Sequence, residues 1–217
     1  MNHYVAFYDL DMTILSTSSG KLFIKYLYQK GLISSLDLIT GMYISLMHRA
    51  GFIHSDAIIR KWVARFSGWS EESMETMSRD WFLHMVKPTI RDDAAESIHW
   101  HNSNGAKTVI LSAATRFICE PVQHTLHMND SICTELDIRK GLFTGKITGE
   151  YNHGEEKLKR ASDYCNANGY DLRSAYYYAD SISDLPVLEK VQHPMCVTPD
   201  RLLKKTAKTR GWKILDW

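Results

Sequence analysis

The chain has few cysteines, no excess of charge of either sign and no long apolar run. Its 4 cysteines among 217 residues stand far apart, so the sequence indicates neither a disulfide framework nor a zinc finger. Lysine and arginine number 26 against 25 acidic residues, which gives no sign of a nucleic-acid partner or of an anionic membrane surface. The most apolar segment, residues 32–47, contains Asp37 and is shorter than the roughly 20 residues of a membrane-spanning helix. The first apolar stretch lacks the basic flank of a secretory signal. We therefore expect a cytoplasmic protein with reduced thiols and no membrane span.

Two aspartates stand at the end of the first apolar run. Residues 4–13 read Tyr-Val-Ala-Phe-Tyr-Asp-Leu-Asp-Met-Thr, and the acids are Asp9 and Asp11. In a buried strand these side chains point the same way, because side chains alternate with a period of two. Two neighbouring carboxylates repel each other unless a cation or a shared proton compensates. Mg²⁺ prefers such oxygen ligands. The pattern predicts a metal site at the carboxyl end of a first strand, where open α/β sheets bind ligands.

Strand-like and helical patterns alternate through most of the chain, which predicts an α/β fold with a doubly wound parallel sheet. Short apolar runs predict strands at 4–9, 107–112, 174–179, 194–197 and 212–215. Helical patterns occupy 91–104, 115–128, 155–168, 183–191 and 199–210, and Pro199 is suited to a first helical position.

A long helical stretch interrupts this alternation after the first strand. Serines precede apolar periodic segments, which predicts helices at 20–30, 36–49, 56–67 and 71–86. We interpret residues 16–86 as an inserted helical-bundle cap domain, with residues 1–15 and 87–217 as the α/β core. Within that core, residues 132–152 read as extended strands with glycine-containing turns.

Three further segments carry polar residues to the same predicted sheet edge. Ser112 ends the apolar run that begins at Thr108, and small residues follow it, which leaves backbone N–H groups open to an anion. Lys157 lies in the first turn of the helix after Asn152-His-Gly154. Asp180 ends the run Tyr-Tyr-Tyr-Ala, and Asp184 follows four residues later.

These four segments, in this order, resemble the four signature motifs of the haloacid dehalogenase superfamily of phosphohydrolases. The inserted helical bundle resembles the cap of its subfamily IB, the phosphoserine-phosphatase-like branch. The resemblance covers nearly the whole chain and implies a Rossmann-like core. It also implies a Mg²⁺-dependent phosphatase that hydrolyses a small-molecule phosphate monoester.

The resemblance implies a role for each motif residue. Asp9 attacks phosphorus and becomes an aspartyl phosphate, and Asp11 serves first as general acid and then as general base. Ser112 holds the phosphoryl oxygens, and Lys157 steadies Asp9 and the phosphate charge. Mg²⁺ is held by Asp9, by the backbone carbonyl of Asp11 and by Asp180, with Asp184 as a ligand or as a partner of the ligands. Lys159 and Lys146 compete with Lys157 for the role of the lysine.

The sequence departs from the phosphoserine phosphatases in one informative place. Those enzymes carry a glutamate about nine residues after the nucleophile that recognises the substrate's amino group, whereas this chain reads Ser16-Thr-Ser-Ser19. The resemblance therefore does not extend to phosphoserine as the substrate. A phosphomutase with the same intermediate, a phosphatase for a lipid-like phosphate and a non-catalytic phosphate-binding regulator remain alternatives. Candidate cations for substrate recognition in the cap are Arg49, Arg60, Lys61 and Arg65.

Overall fold

A computed structural model describes residues 4–49 and 55–217, which divide into two compact units. The core unit contains the chain up to Ser16, Ile90–Thr134 and Asn152–Trp217, and the helical unit contains Thr17–Thr89 and Glu135–Tyr151. The helical unit thus includes residues 135–151, which differs from the predicted boundaries. The physical reason is backbone pairing, because Phe143 accepts from the N–H of Gly68 and donates to the carbonyl of Trp69, each at 2.9 Å.

A seven-stranded, mostly parallel sheet organises the fold and confirms the predicted doubly wound class. Its strands are β1 (Val5–Tyr8), β2 (Lys107–Thr115), β3 (Asp130–Arg139), β4 (Leu142–Thr148), β5 (Tyr176–Ala179), β6 (His193–Val197) and β7 (Lys213–Leu215). The strand order is β4-β3-β2-β1-β5-β6-β7, and only β3 and β4 pair antiparallel. All five strands predicted for the core are present. Because β2 and β5 flank β1, the three strands that precede the motif residues are neighbours.

Helices connect these strands and fill the insertion. They are α1 (Ser19–Gln29), α2 (Ser35–Arg49), α3 (Ser55–Ala64), α4 (Glu71–Trp81), α5 (Asp92–Ser103), α6 (Arg116–Thr125), α7 (Glu155–Asn168), α8 (Leu185–Leu188) and α9 (Arg201–Arg210). The predicted start of the last helix at Pro199 was wrong by two residues. The carboxylate of Asp200 accepts the N–H of Leu203 at 2.7 Å and so caps the helix from just outside it. The predicted helix 183–191 is shorter, with α8 preceded by the single turn Ile182–Asp184.

The helical unit packs through close approach of α1, α2 and α3. A Cβ on Gly41 would come within 2.8 Å of Ile24 and 2.9 Å of Trp62, so any larger residue would have to displace these side chains. The predicted helix 71–86 is regular only to Trp81 and continues through Phe82–Val86 as a wider π-helical turn. Part of α2 does not pack, since three apolar side chains are exposed: Leu36, Ile39 and Tyr43.

The core beneath the site lies between the sheet and α7. Phe7, Leu111 and Tyr177 of the central strands pack with Ala161 and Cys165 of α7, all essentially buried. Burial of such side chains stabilises each by about 1.5–3 kcal/mol, which fixes the strands whose ends carry the motif residues. All four cysteines lack a disulfide bond. Among the described residues, no helix is both long and apolar enough to cross a membrane.

Candidate active site

Asp9 and Asp11 lie where β1 gives way to a wide turn. The backbone at Asp9 remains extended. Residues 10–14 then fold back, and the N–H of Leu15 closes the turn on the carbonyl of Leu10 at 2.9 Å. Met12 adopts a left-handed conformation with φ of 62° inside it. Asp9 is buried, whereas Asp11 is half-buried and lies on the turn, beyond the strand from which the alternation was argued.

Lys157 makes the central contacts of the site. It lies in the first turn of α7 and is buried. Its Nζ donates to Asp9 Oδ1 and to Asp184 Oδ1, each at 2.7 Å, and to the hydroxyl of Tyr177 at 3.2 Å. Side chains from three of the four motif segments therefore meet at one ammonium group. The rival Lys159 has a side chain that is 69% exposed, and Lys146 is exposed as well, so neither occupies this buried position.

Three buried aspartates form a cluster that could hold a metal ion. One carboxylate oxygen each from Asp9, Asp180 and Asp184 lies within 4.8 Å of the other two. The side chain of Asp11 is not part of this cluster. When all three carboxylates are ionised, the single ammonium of Lys157 leaves a formal charge of about −2. The donor set and its charge fit a divalent cation with a preference for oxygen ligands.

The protonation of this cluster follows from its burial. Burial raises the pKa of Asp9 to about 7, helped by the charge of Asp184, although Lys157 opposes the shift. Burial also disfavours the charge of Lys157, but Asp184 and Asp9 outweigh it and hold the pKa of the ammonium well above its usual range. Lys157 is therefore charged at neutral pH. A cation beside Asp9 would favour its carboxylate form, since opposite charge stabilises the ionised state.

Ser112 lies in β2, where the pairing with β3 shifts register between Leu111 and Thr115, and two other side chains hold the backbone there. Ser112 is buried, and its Oγ accepts the N–H of Ala114 at 3.2 Å. Asn152 Nδ2 donates to the carbonyl of Ser112 at 2.8 Å and to that of Ile132 at 2.9 Å. The hydroxyl of Thr134 donates to the carbonyl of Ala113 at 2.8 Å. These contacts hold the carbonyls of Ser112 and Ala113 and so restrict the orientation of the peptide groups next to them.

Two of the four cations predicted for substrate recognition form ion pairs with acidic side chains. Arg60 forms an ion pair with Glu150 at 3.2 Å, and Arg65 forms one with Asp37 at 2.5 Å. These contacts lie within the helical unit and leave the recognition role of both residues unsupported. Lys61 is exposed, and the side chain of Arg49 lies outside the described residues.

Sequence reasoning missed two contributors to this site. The sequence presents Tyr177 only as part of the run before Asp180, and Asn152 only as part of the segment before the helix of Lys157. All three tyrosines before Asp180 carry a hydroxyl group, so the sequence offered a polar group in this strand but did not indicate which tyrosine contacts Lys157. No pattern in the sequence indicates the contacts of Asn152, because its partners Ser112 and Ile132 lie 40 and 20 positions away.

Comparison with known proteins agrees with this geometry. The family model for haloacid dehalogenase-like hydrolases matches residues 6–189. The chain is 33% identical over 216 residues to the inhibition of morphological differentiation protein of Streptomyces azureus, covering 98% of this chain and 78% of that one. It is 29% identical over 218 residues to a histidinol-phosphatase of Neisseria meningitidis serogroup C, covering 98% of each.

A solved phosphoserine phosphatase with bound substrate shares the fold. It superposes with a TM-score of 0.76 at 15% identity, covering 100% of this chain and 94% of that one. The fold, the motif residues and the relatives named as phosphatases define an enzyme of the phosphomonoesterase class. The chain belongs to the family of haloacid dehalogenase-like hydrolases.

Proposed function

We propose that this enzyme is a Mg²⁺-dependent phosphatase that hydrolyses a small-molecule phosphate monoester through an aspartyl phosphate on Asp9. The observation that carries the proposal is the 2.7 Å contact of Asp9 Oδ1 with Lys157 Nζ inside the carboxylate cluster. One oxygen of Asp9 is thereby held by an ammonium. The contact fixes the carboxylate at the sheet edge where a substrate binds in open α/β folds.

The proposed hydrolysis has two steps, and in each of them named groups form the bonds and carry the protons. A carboxylate oxygen of Asp9 attacks phosphorus, the ester P–O bond breaks, and Asp11 gives its proton to the leaving oxygen. Asp11 then takes a proton from water, whose oxygen attacks the phosphorus of the aspartyl phosphate. Inorganic phosphate leaves, and the Asp9 carboxylate is restored. Asp11 is half-buried, which is compatible with an acid that meets both an alcohol and a water molecule.

Charge on the transferred phosphoryl group needs fixed positive partners. The ammonium of Lys157 and the hydroxyl and nearby backbone N–H groups at Ser112 supply them from this chain. Asp9, Asp180 and Asp184 would hold Mg²⁺, together with the backbone carbonyl of Asp11. Bound Mg²⁺ supplies charge neutralisation at the phosphoryl oxygens.

The substrate class is a small phosphate ester, and the relatives suggest where a search should begin. The Neisseria relative named as a histidinol-phosphatase matches this chain from end to end, so histidinol phosphate belongs in the first panel. Phosphoserine belongs there as a contrast, because no acid occupies residues 16–19. Sugar phosphates in the same panel test the phosphomutase alternative, which converts one isomer to another without releasing phosphate.

The test is release of phosphate from an aryl phosphate, measured with Mg²⁺ and with excess EDTA. We expect release that requires Mg²⁺ and that Asp9→Asn abolishes while its circular dichroism matches the wild type. Asp11→Asn should lose most activity, since it retains the nucleophile but not the acid. Metal-independent release, or a fully active Asp9→Asn enzyme, would contradict the proposal.

A further inference from the structure

The ammonium of Lys157 has a third partner that the proposed chemistry does not use. Two of its contacts are the carboxylates of Asp9 and Asp184. The third is the phenolic oxygen of Tyr177, 3.2 Å from Nζ. An ammonium group has three N–H donors and no acceptor. The three contacts therefore match its three protons.

Tyr177 reaches Lys157 because of its place in β5. Side chains alternate across a strand, so Tyr177 faces α7, whereas Tyr176 and Tyr178 face the opposite side of the sheet, where they contact His101. The side chain of Tyr177 is 0% exposed and packs among apolar residues of the core. In such surroundings the phenol oxygen is the third acceptor that the structure gives the ammonium.

The chemistry of a phenol suits this position. A buried donor without an acceptor keeps its full desolvation cost, and the cost is larger for a charged group. Burial and the charge of Asp184 raise the pKa of Tyr177 well above its usual range, so the phenol stays neutral. It can therefore accept a hydrogen bond without adding a third negative charge to Asp9 and Asp184.

We propose that Tyr177 is a positioning residue that orients the Lys157 ammonium toward Asp9 through its hydroxyl group. This inference rests on the proposed function, in which Lys157 holds the nucleophile. Without the hydroxyl, the third proton of the ammonium loses its acceptor. The ammonium of Lys157 can then move away from Asp9. The position from which the Asp9 carboxylate attacks phosphorus becomes less well defined.

The test is Tyr177→Phe, which removes only the hydroxyl group. The matched control is Tyr178→Phe, one residue further along the same strand. Its hydroxyl is also hydrogen-bonded in the interior, to His101 Nε2 at 2.9 Å, but it does not contact Lys157.

Unfolding in urea shows whether the two variants lose comparable stability. We expect kcat for the aryl phosphate to fall about tenfold in Tyr177→Phe, with KM changed less than about twofold, because the interaction acts on the transition state. In Tyr178→Phe, kcat should stay within about twofold of the wild type.

A second measurement does not depend on turnover. The Lys157 ammonium should give a ¹H–¹⁵N correlation signal, assigned by its loss in Lys157→Met, because buried protons exchange slowly with water. We expect this signal to broaden or vanish in Tyr177→Phe and to persist in Tyr178→Phe.

The outcomes separate the two proposals. An unchanged ammonium signal in Tyr177→Phe, or equal loss of kcat in both variants, would overturn the positioning role. A wild-type enzyme that releases no phosphate from any ester would instead overturn the proposed function, while the ammonium signal would still report whether Tyr177 holds Lys157.

Discussion

Replacing Lys157 by methionine tests the electrostatic account of the site most severely. Methionine keeps the length and most of the volume of the lysine side chain but removes its charge and its three donors. Asp9 and Asp184 would then lose the ammonium that lies 2.7 Å from each. Both side chains are nearly inaccessible to solvent, so water cannot replace it at low cost.

The expected loss of stability follows from this burial. Removing one partner of a buried ion pair leaves an uncompensated charge and typically costs about 3–5 kcal/mol. In metal-free protein above about pH 7, we expect Lys157→Met to lower the free energy of unfolding by an amount in this range. The pKa of Asp9 is already raised in the folded state and rises further without Lys157. Asp9 of the folded variant therefore binds its proton at a higher pH than Asp9 of the wild type, which does so near pH 7, and the deficit should shrink as the pH falls from 8 to about 7 and change little below that.

Urea unfolding in EDTA at pH 8 and at pH 5 measures both effects. Lys159→Met is the matched control, because Lys159 lies two residues further along α7 with a side chain that is 69% exposed. Its free energy of unfolding should change by less than about 0.5 kcal/mol. A loss below about 1 kcal/mol in Lys157→Met, or a deficit that does not depend on pH, would refute the reasoning.

Three further predictions concern the core and the metal. Burial, with a smaller effect of His193, lowers the pKa of His101 to about 4. The contribution of His101 to stability, present above its unfolded pKa of about 6.5, should thus fall by about 3 kcal/mol as the pH decreases to 4, and urea unfolding of His101→Gln should lack this slope. Asn152→Ala removes two hydrogen bonds behind Ser112, so unfolding should show a loss of about 2 kcal/mol and steady-state kinetics a lower kcat. Mg²⁺ should raise the melting temperature of the wild type, and calorimetry should show little rise in Asp180→Asn, since binding to the folded state alone stabilises it.

The sequence was sufficient to predict the sheet and the positions of its motif residues. Apolar runs that end in Asp9 and Asp180 are visible locally, because each strand is short and buried on both faces. The assignment of Lys157 over Lys159 needed the family resemblance, since an exposed lysine and a buried one look alike in a helical pattern.

What the sequence could not predict depends on contacts between distant segments. The extended pattern at 132–152 predicted the strands β3 and β4. It did not predict the pairing of Phe143 with Gly68 and Trp69, which joins residues 135–151 to the helical unit. The three contacts of the Lys157 ammonium could not be predicted for the same reason, because Tyr177 and Asp184 reach it only after β5 and α7 have packed against each other. No local sequence pattern encodes contacts between residues so far apart in the chain.

Trapping the covalent intermediate tests the central claim most directly. Enzyme turning over a phosphate ester with Mg²⁺ is treated with hydroxylamine, which converts an acyl phosphate to a hydroxamate, and its peptides are examined by mass spectrometry. The account predicts a hydroxamate at Asp9 that depends on substrate and Mg²⁺ and is absent from Asp9→Asn. Phosphate release without modification of Asp9, or modification of another carboxylate in its place, would contradict it.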